Sequence, residues 1–178
     1  MESGFSAMER LVSTSLTSAM TISPVVVLTA AAALGSAASG GIFYVFSTFV
    51  MRGLDRTSPV DAITAMRGIN AEANANAPFL LFLFGSALLS LIVAVLAVAQ
   101  ISRPGSWFLL AGAIFGVLGI IVTMLFNVPL NNHLDTVDLA DAAAEWQPYF
   151  STWTAWNHVR TATGFLGAVL LLFGLRYR

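Results

Sequence analysis

A few polar and aromatic residues stand out in a chain otherwise nearly free of them, and their spacing gathers them together. Trp153, Trp156, Asn157, Arg160, Gly164 and Gly167 fall within about 100° of arc at the α-helical repeat. Such a stripe offers indole faces to a flat apolar ligand, and amide and guanidinium donors to a developing negative charge. Arg160 is its costliest member, because a charge at the bilayer centre costs about 2.5–3.5 kcal/mol on insertion scales. It is expected to face protein, with snorkelling to headgroups as the ordinary alternative. Asn127 and Asn131 flank Pro129 in Asn127-Val128-Pro129-Leu130-Asn131-Asn132, where the proline is expected to kink or end a helix and expose carbonyls and amides. Gly112, Gly116 and Gly119 lead to Thr123 and Asn127 along one helical face, and the glycines permit close helix approach. Tyr44, Thr48 and Arg52 share a side with Gly41. Tyr44 is a candidate proton-transfer group and Arg52 a second cation, although packing and helix anchoring are their commoner uses.

The histidines fit less well. His158 points about 100° away from Asn157 and is a candidate base only at the rim of the stripe. His133 sits in a polar loop. No His-x-x-x-His or Glu-x-x-His pattern is present, and the two histidines lie on opposite sides of a short loop, so neither a metal site nor haem is expected. The absence of cysteine excludes disulfides, iron–sulfur clusters and thiol nucleophiles. Phosphate loops, the Gly-x-Ser-x-Gly elbow, acidic pairs inside the spans and inverted repeats are all missing. A net charge of −1 without any basic run argues against nucleic acid as a partner.

The elements that must position these residues are membrane helices. The chain is 57% hydrophobic and 10% charged, with mean hydropathy +0.82, whereas soluble domains carry about 25% charge. Four apolar runs, at about 24–51, 78–101, 106–130 and 153–175, reach the length of roughly 20 residues that spans a bilayer. The expected fold is all-α, a four-helix membrane bundle over 24–178 behind a polar, mobile Ser/Thr-rich tail at 1–23. Ser36-Ala37-Ala38 offers a leader cleavage site, but the length of the first run favours a retained span. Ser-Arg-Pro-Gly at 102–105 makes a tight turn between antiparallel neighbours. The two long connections then share one membrane face. Ser58-Pro59-Val60-Asp61 reads as a helix start, and the helix that follows places Ile63, Met66, Asn70 and Ala77 on one face, with Asn74 beside them. Those amides are expected to point into the bundle mouth. Leu139 to about Trp146 reads as a separate short helix ended by Pro148. Arginine is spread almost evenly between the two faces. The expectation is a plasma-membrane protein with cytoplasmic termini.

Several of these motifs resemble a known family. Gly41-Ile42-Phe43 running to Arg52, Ala65-Met66-Arg67-Gly68-Ile69-Asn70 with Pro78-Phe79, Asn127-Val128-Pro129-Leu130-Asn131, and Trp153-Thr154-Ala155-Trp156-Asn157-His158-Val159-Arg160 look like the anthrone oxygenase-like membrane proteins. The resemblance covers about residues 40–178, and the last two motifs are the specific ones. It implies a four-helix membrane protein and a monooxygenase that oxidises a lipophilic anthrone- or quinol-like aromatic with O₂, without metal, flavin or other cofactor. The matching residues are Arg52, Asn70, Asn127, Pro129, Asn131, Trp153, Trp156, Asn157 and Arg160.

Two functional readings stand side by side at this point. In one, Trp153 and Trp156 wall an apolar slot, Arg160, Asn157, Asn127 and Asn70 supply donors to an enolate, and His158 or Tyr44 handles the proton. Asn131, Asn74 and Arg52 line the same mouth. In the other, the polar cluster fixes helix register in a non-catalytic module that binds lipid or a partner subunit. Membrane lipids are partners in either case, and self-association is open in both.

Overall fold

The computed structural model describes residues 23–178. The segment read as a tail lies, but for Ser23, outside the described residues. Five helices follow one another: α1 (Pro24–Leu54), α2 (Pro59–Ala75), α3 (Ala77–Ala99), α4 (Ser106–Thr136) and α5 (Ala142–Arg176), the last preceded by a 3₁₀ turn at Leu139–Asp141. No strand occurs among the described residues. The α1, α3, α4 and α5 segments are long and apolar enough to cross a membrane. The chain is therefore a multi-pass membrane protein with an all-α bundle, as the hydropathy pattern implies.

Neighbours around the bundle run α1–α3–α4–α5 and back to α1. At one end, α3 turns tightly into α4 through Gly105, whose φ of 79° suits only glycine. Ala32, Ala33, Val93, Ala97, Leu109, Ala113 and Leu171 form the core there. A methyl group on Gly112 would meet the Leu171 amide nitrogen at 2.7 Å and the Gly167 carbonyl at 2.9 Å, so these two backbones touch directly in the manner of small-residue membrane packing.

The other end carries a cap. Ser58 starts α2 as its spacing predicts: its hydroxyl accepts from the Asp61 amide (3.2 Å) and donates to the Asp61 carboxylate (2.7 Å). Ala62, Ile63, Met66 and Asn70 are buried. Ala77, expected on this face, instead opens α3 and is exposed, because Asn76 breaks the helix and caps the next by accepting from the Phe79 amide (3.0 Å). The cap core joins Ile63 and Met66 to Met51, Leu134, Trp146, Tyr149 and Trp153. Arg67 ties α2 to the C-terminus of α4 by donating to the Leu134 carbonyl (2.7 and 2.9 Å) and to that of Val137, where the helix dipole favours a cation.

Neither proline ends its helix. Pro148 lies inside α5, which runs unbroken from Ala142. Its ring sits on the exposed side, while Trp146, Tyr149 and Trp153 are buried on either side of it, and that packing holds the helix across the one lost hydrogen bond. Pro129 does not end α4 either. A π-helical turn at Thr123–Asn127 precedes it, with the Val128 amide donating to the Thr123 carbonyl. The wider turn accommodates the proline ring and carries the helix on to Thr136. α1 holds a matching π turn at Phe46–Val50.

Candidate functional site

The central stretch of α5 meets these two π turns. Asn157 is fully buried. Its amide nitrogen donates to the Phe43 carbonyl (2.6 Å) and the Ser47 hydroxyl (2.7 Å) on α1. Its amide oxygen accepts from Arg160 Nη2 (2.5 Å). Arg160 Nη1 faces the Thr123 hydroxyl on α4 (3.4 Å), a hydroxyl that itself donates to the Gly119 carbonyl (2.9 Å). Each π turn thus aims one hydroxyl at the Asn157–Arg160 pair, and such turns recur at functional sites.

Arg160 is only 5% exposed. Its guanidinium lies over the Phe43 ring (4.3 Å) and the Trp153 ring (4.9 Å). Cation–π contacts are worth about 0.5–2 kcal/mol each, which offsets part of the burial cost. Every partner is neutral: among the described residues no carboxylate lies within salt-bridge distance, and Nε has no hydrogen-bond partner. Buried cations ordinarily sit beside an anion.

That arginine forms part of the wall of a cavity of about 500 Å³. α1 contributes Phe43 and Phe46, α2 Met66 and Asn70, α3 Phe79, Leu80, Leu83 and Phe84, α4 Ile120, Thr123 and Met124, and α5 Trp153 with Arg160. The size matches pockets that enclose a drug-sized molecule, about 300–1,000 Å³. Trp153 is held rigidly: its indole N–H donates to Asn131 Oδ1 (2.8 Å), which also accepts from the Tyr149 hydroxyl (3.0 Å). The Asn127 amide donates to the Trp153 carbonyl (3.2 Å). The amide nitrogen of Asn70, buried in the α2 roof, has no partner. Glu72 and Asn74 sit at the exposed rim, and Glu72 is the one carboxylate among the lining residues.

Of the residues singled out from sequence, Arg160, Asn157, Trp153, Asn127, Asn131, Asn70 and Asn74 converge at this mouth. Four do not. Trp156 stacks flat on Phe126 (3.5 Å) instead of walling the cavity; at the edge of its stripe, a small rotation of α5 turns it outward. His158 is exposed on the outer side of α5. Tyr44 is 53% exposed and packs edge-on against Phe165, while Thr48 bonds the Tyr44 carbonyl (2.7 Å). Arg52 is exposed. The inward face of α1 is Phe43, Ser47 and Met51, one residue back from the expected set. Phe43, Ser47, Tyr149 and Glu72 were missed, and Thr123, read on the face of Asn127, was given no role at the site. The available signal was the helical spacing of Thr29, Ser36, Gly40 and Ser47 along the face of Phe43, all of them buried. Among the described residues no three His, Asp or Glu side chains converge on one point.

A family model described as anthrone oxygenase matches residues 79–170, just over half of the chain, from the start of α3 through most of α5. No curated protein and no solved structure matches.

Proposed function

Since the chain belongs to the anthrone oxygenase family, we propose that the cavity binds a flat, lipophilic carbon acid of the anthrone or quinol type and oxidises it with O₂. The observation that carries this reading is Arg160: a buried guanidinium with only neutral partners, set in an aromatic cavity beside the unused amide donor of Asn70. Such a wall suits a ligand that is apolar in body and becomes anionic at one oxygen. Arg160 and Asn70 stabilise the enolate oxygen, and Trp153 and Phe43 flank both the cation and the ring system. His158 and Tyr44 face away, so Glu72 takes the C–H proton.

The reaction balances without another reductant. A ring CH₂ and O₂ give a ring C=O and water: two C–H bonds break, one oxygen atom becomes the carbonyl, the other leaves as water, and carbon supplies all four electrons. The enolate can pass an electron to O₂ directly, so no cofactor is required by the chemistry. The test is purified protein in nanodiscs with anthrone under ¹⁸O₂. The expected result is one O₂ consumed per anthrone, with label in the new carbonyl. O₂ uptake no faster than in protein-free nanodiscs would overturn the proposal.

One observation favours a second reading. The bonds from Asn157 to Phe43 and Ser47 lock α5 to α1 whether or not anything reacts, as a non-catalytic ligand-holding module would also need. In that case Arg160→Ala lowers stability or ligand binding, and wild-type protein shows no turnover to lose. The plasma membrane is our proposed setting, with cytoplasmic termini because, once Arg160 is set aside as buried, Arg10, Arg103, Arg176 and Arg178 on the terminal face outnumber Arg52, Arg56 and Arg67 on the other.

A further inference from the structure

The cavity's lining has two margins of opposite character. Under α2 the rim is polar: Glu72 and Asn74 are exposed there, and Asn76 is occupied in capping α3. The other margin lies on the α3–α4 side of the bundle. Phe84 of α3 and Met124 of α4 both line the cavity, yet they are 48% and 49% exposed. Phe84 lies about 10 Å along α3 from its start, within a stretch whose outward residues Leu81 and Leu88 are exposed apolar side chains facing lipid. α3 packs closely on the Ser106–Val122 part of α4 but not on the turns that follow, so the two helices part on the long-loop side. Leu83, Ile120 and Val128, on the same two helices, add apolar lining to the cavity that Arg160 also walls.

We infer that the cavity takes its ligand sideways from the bilayer, as a lipid-dissolved molecule passing between α3 and α4 past Phe84 and Met124. This rests on reading the cavity as the ligand site. The apolar body of such a ligand meets no charge until it reaches the guanidinium, whereas entry under α2 would drag it past Glu72. The π turn helps shape the gap, because Met124 lies within it.

The chain contains no cysteine, which makes access directly measurable. Thr123→Cys places one thiol in the buried cavity wall. In liposomes, a membrane-partitioned pyrene maleimide is expected to label it faster than a charged, water-soluble maleimide. Adding Phe84→Trp, or separately Met124→Trp, fills the gap and is expected to slow pyrene labelling by about tenfold, a barrier increment of ~1.4 kcal/mol. Asn74→Trp at the polar rim is expected to leave it unchanged. Slowing by Asn74→Trp in place of the gap variants overturns the inference, as does equal slowing by both, or no labelling at all. The two gap variants check each other against misfolding, with thermal unfolding of each measured in parallel. Labelling reads access and not turnover, so an inactive protein with a working side entrance and an active protein without one are distinguishable results.

Discussion

At the short-loop end, Gly112, Gly167 and Leu171 let α4 and α5 approach until their backbones touch; at the long-loop end, Phe43, Trp153 and the two π turns surround an open cavity of about 500 Å³. The same four-helix bundle does both: α4 and α5 stay in contact at the cavity end through Asn127 and the Trp153 carbonyl, while α3 stands off from the last turns of α4. Small residues bring membrane helices together because lipid supplies no hydrophobic drive and dispersion contacts must substitute. Large rings braced by hydrogen bonds keep them apart, and α2 roofs the space they leave. One end therefore provides rigidity and the other provides chemistry. Substitutions at either end should separate stability from activity.

The largest effect is expected from Arg160→Ala. Removing a preorganised donor to a developing oxyanion typically costs 10²–10³-fold in turnover, about 3–4 kcal/mol, and anthrone-dependent O₂ uptake should fall by that order while the protein still inserts. Arg160→Lys should recover only part, because a lysine lacks the planar guanidinium that lies over two rings. Glu72→Gln comes next, with a loss of about 10²-fold in turnover at unchanged thermal stability. Unaltered turnover in this variant would remove Glu72 as the proton acceptor.

At the closed end the readout changes from rate to stability. Gly112→Ala gains roughly 1 kcal/mol in helix propensity, but its methyl group would press on the Leu171 amide and the Gly167 carbonyl, backbone atoms that cannot swing away. Overpacking of this kind costs about 1–3 kcal/mol, so a net loss is expected by thermal unfolding, with turnover per folded molecule retained. A variant more stable than wild type would show that the glycine contact is not tight. Asp55→Ala should have a smaller effect of about 1 kcal/mol, since it removes the acceptor shared by Trp146 Nε1 (2.8 Å) and Gln147 Nε2 (2.6 Å). Hydrogen exchange should report it as loosening of the cap, with the short-loop end unchanged.

How much of this was legible beforehand follows the same division. The spans, the tight turn and the Ser58 cap were readable because each has a local cause: apolar length, turn chemistry and a side chain bonding its own helix start. On α5, Asn157, Arg160 and Trp153 were readable too, since polar groups in a span must face protein. On α1 the small hydroxyls that share the face of Phe43, those of Thr29, Ser36 and Ser47, are weaker markers than Tyr44 and Arg52 on the neighbouring face, and a π turn shifts the register that a strict 3.6-residue count assumes. The cavity itself was not readable, because its volume depends on how far apart four helices stand. Pro148 misled for a related reason: local chemistry predicts a break, and burial of Trp146 and Tyr149 from the cap overrides it.

The smallest effect sharpens the comparison most at the level of single residues. His158 and Tyr44 carry side chains capable of proton transfer, and both lie at the depth of the cavity, yet they project from the outer surface of α5 and α1. Tyr44 keeps its ring against Phe165 without its hydroxyl, so Tyr44→Phe preserves the packing and removes only the chemistry. His158→Ala removes an exposed ring. Surface changes of this kind usually stay within about 0.5 kcal/mol, so both variants should turn over anthrone within about twofold of wild type, with the same pH profile. A large loss in Tyr44→Phe would mean that the outer face of α1 reaches the reacting ligand. The division between a catalytic interior and an inert lipid-facing surface would then have to be redrawn through α1.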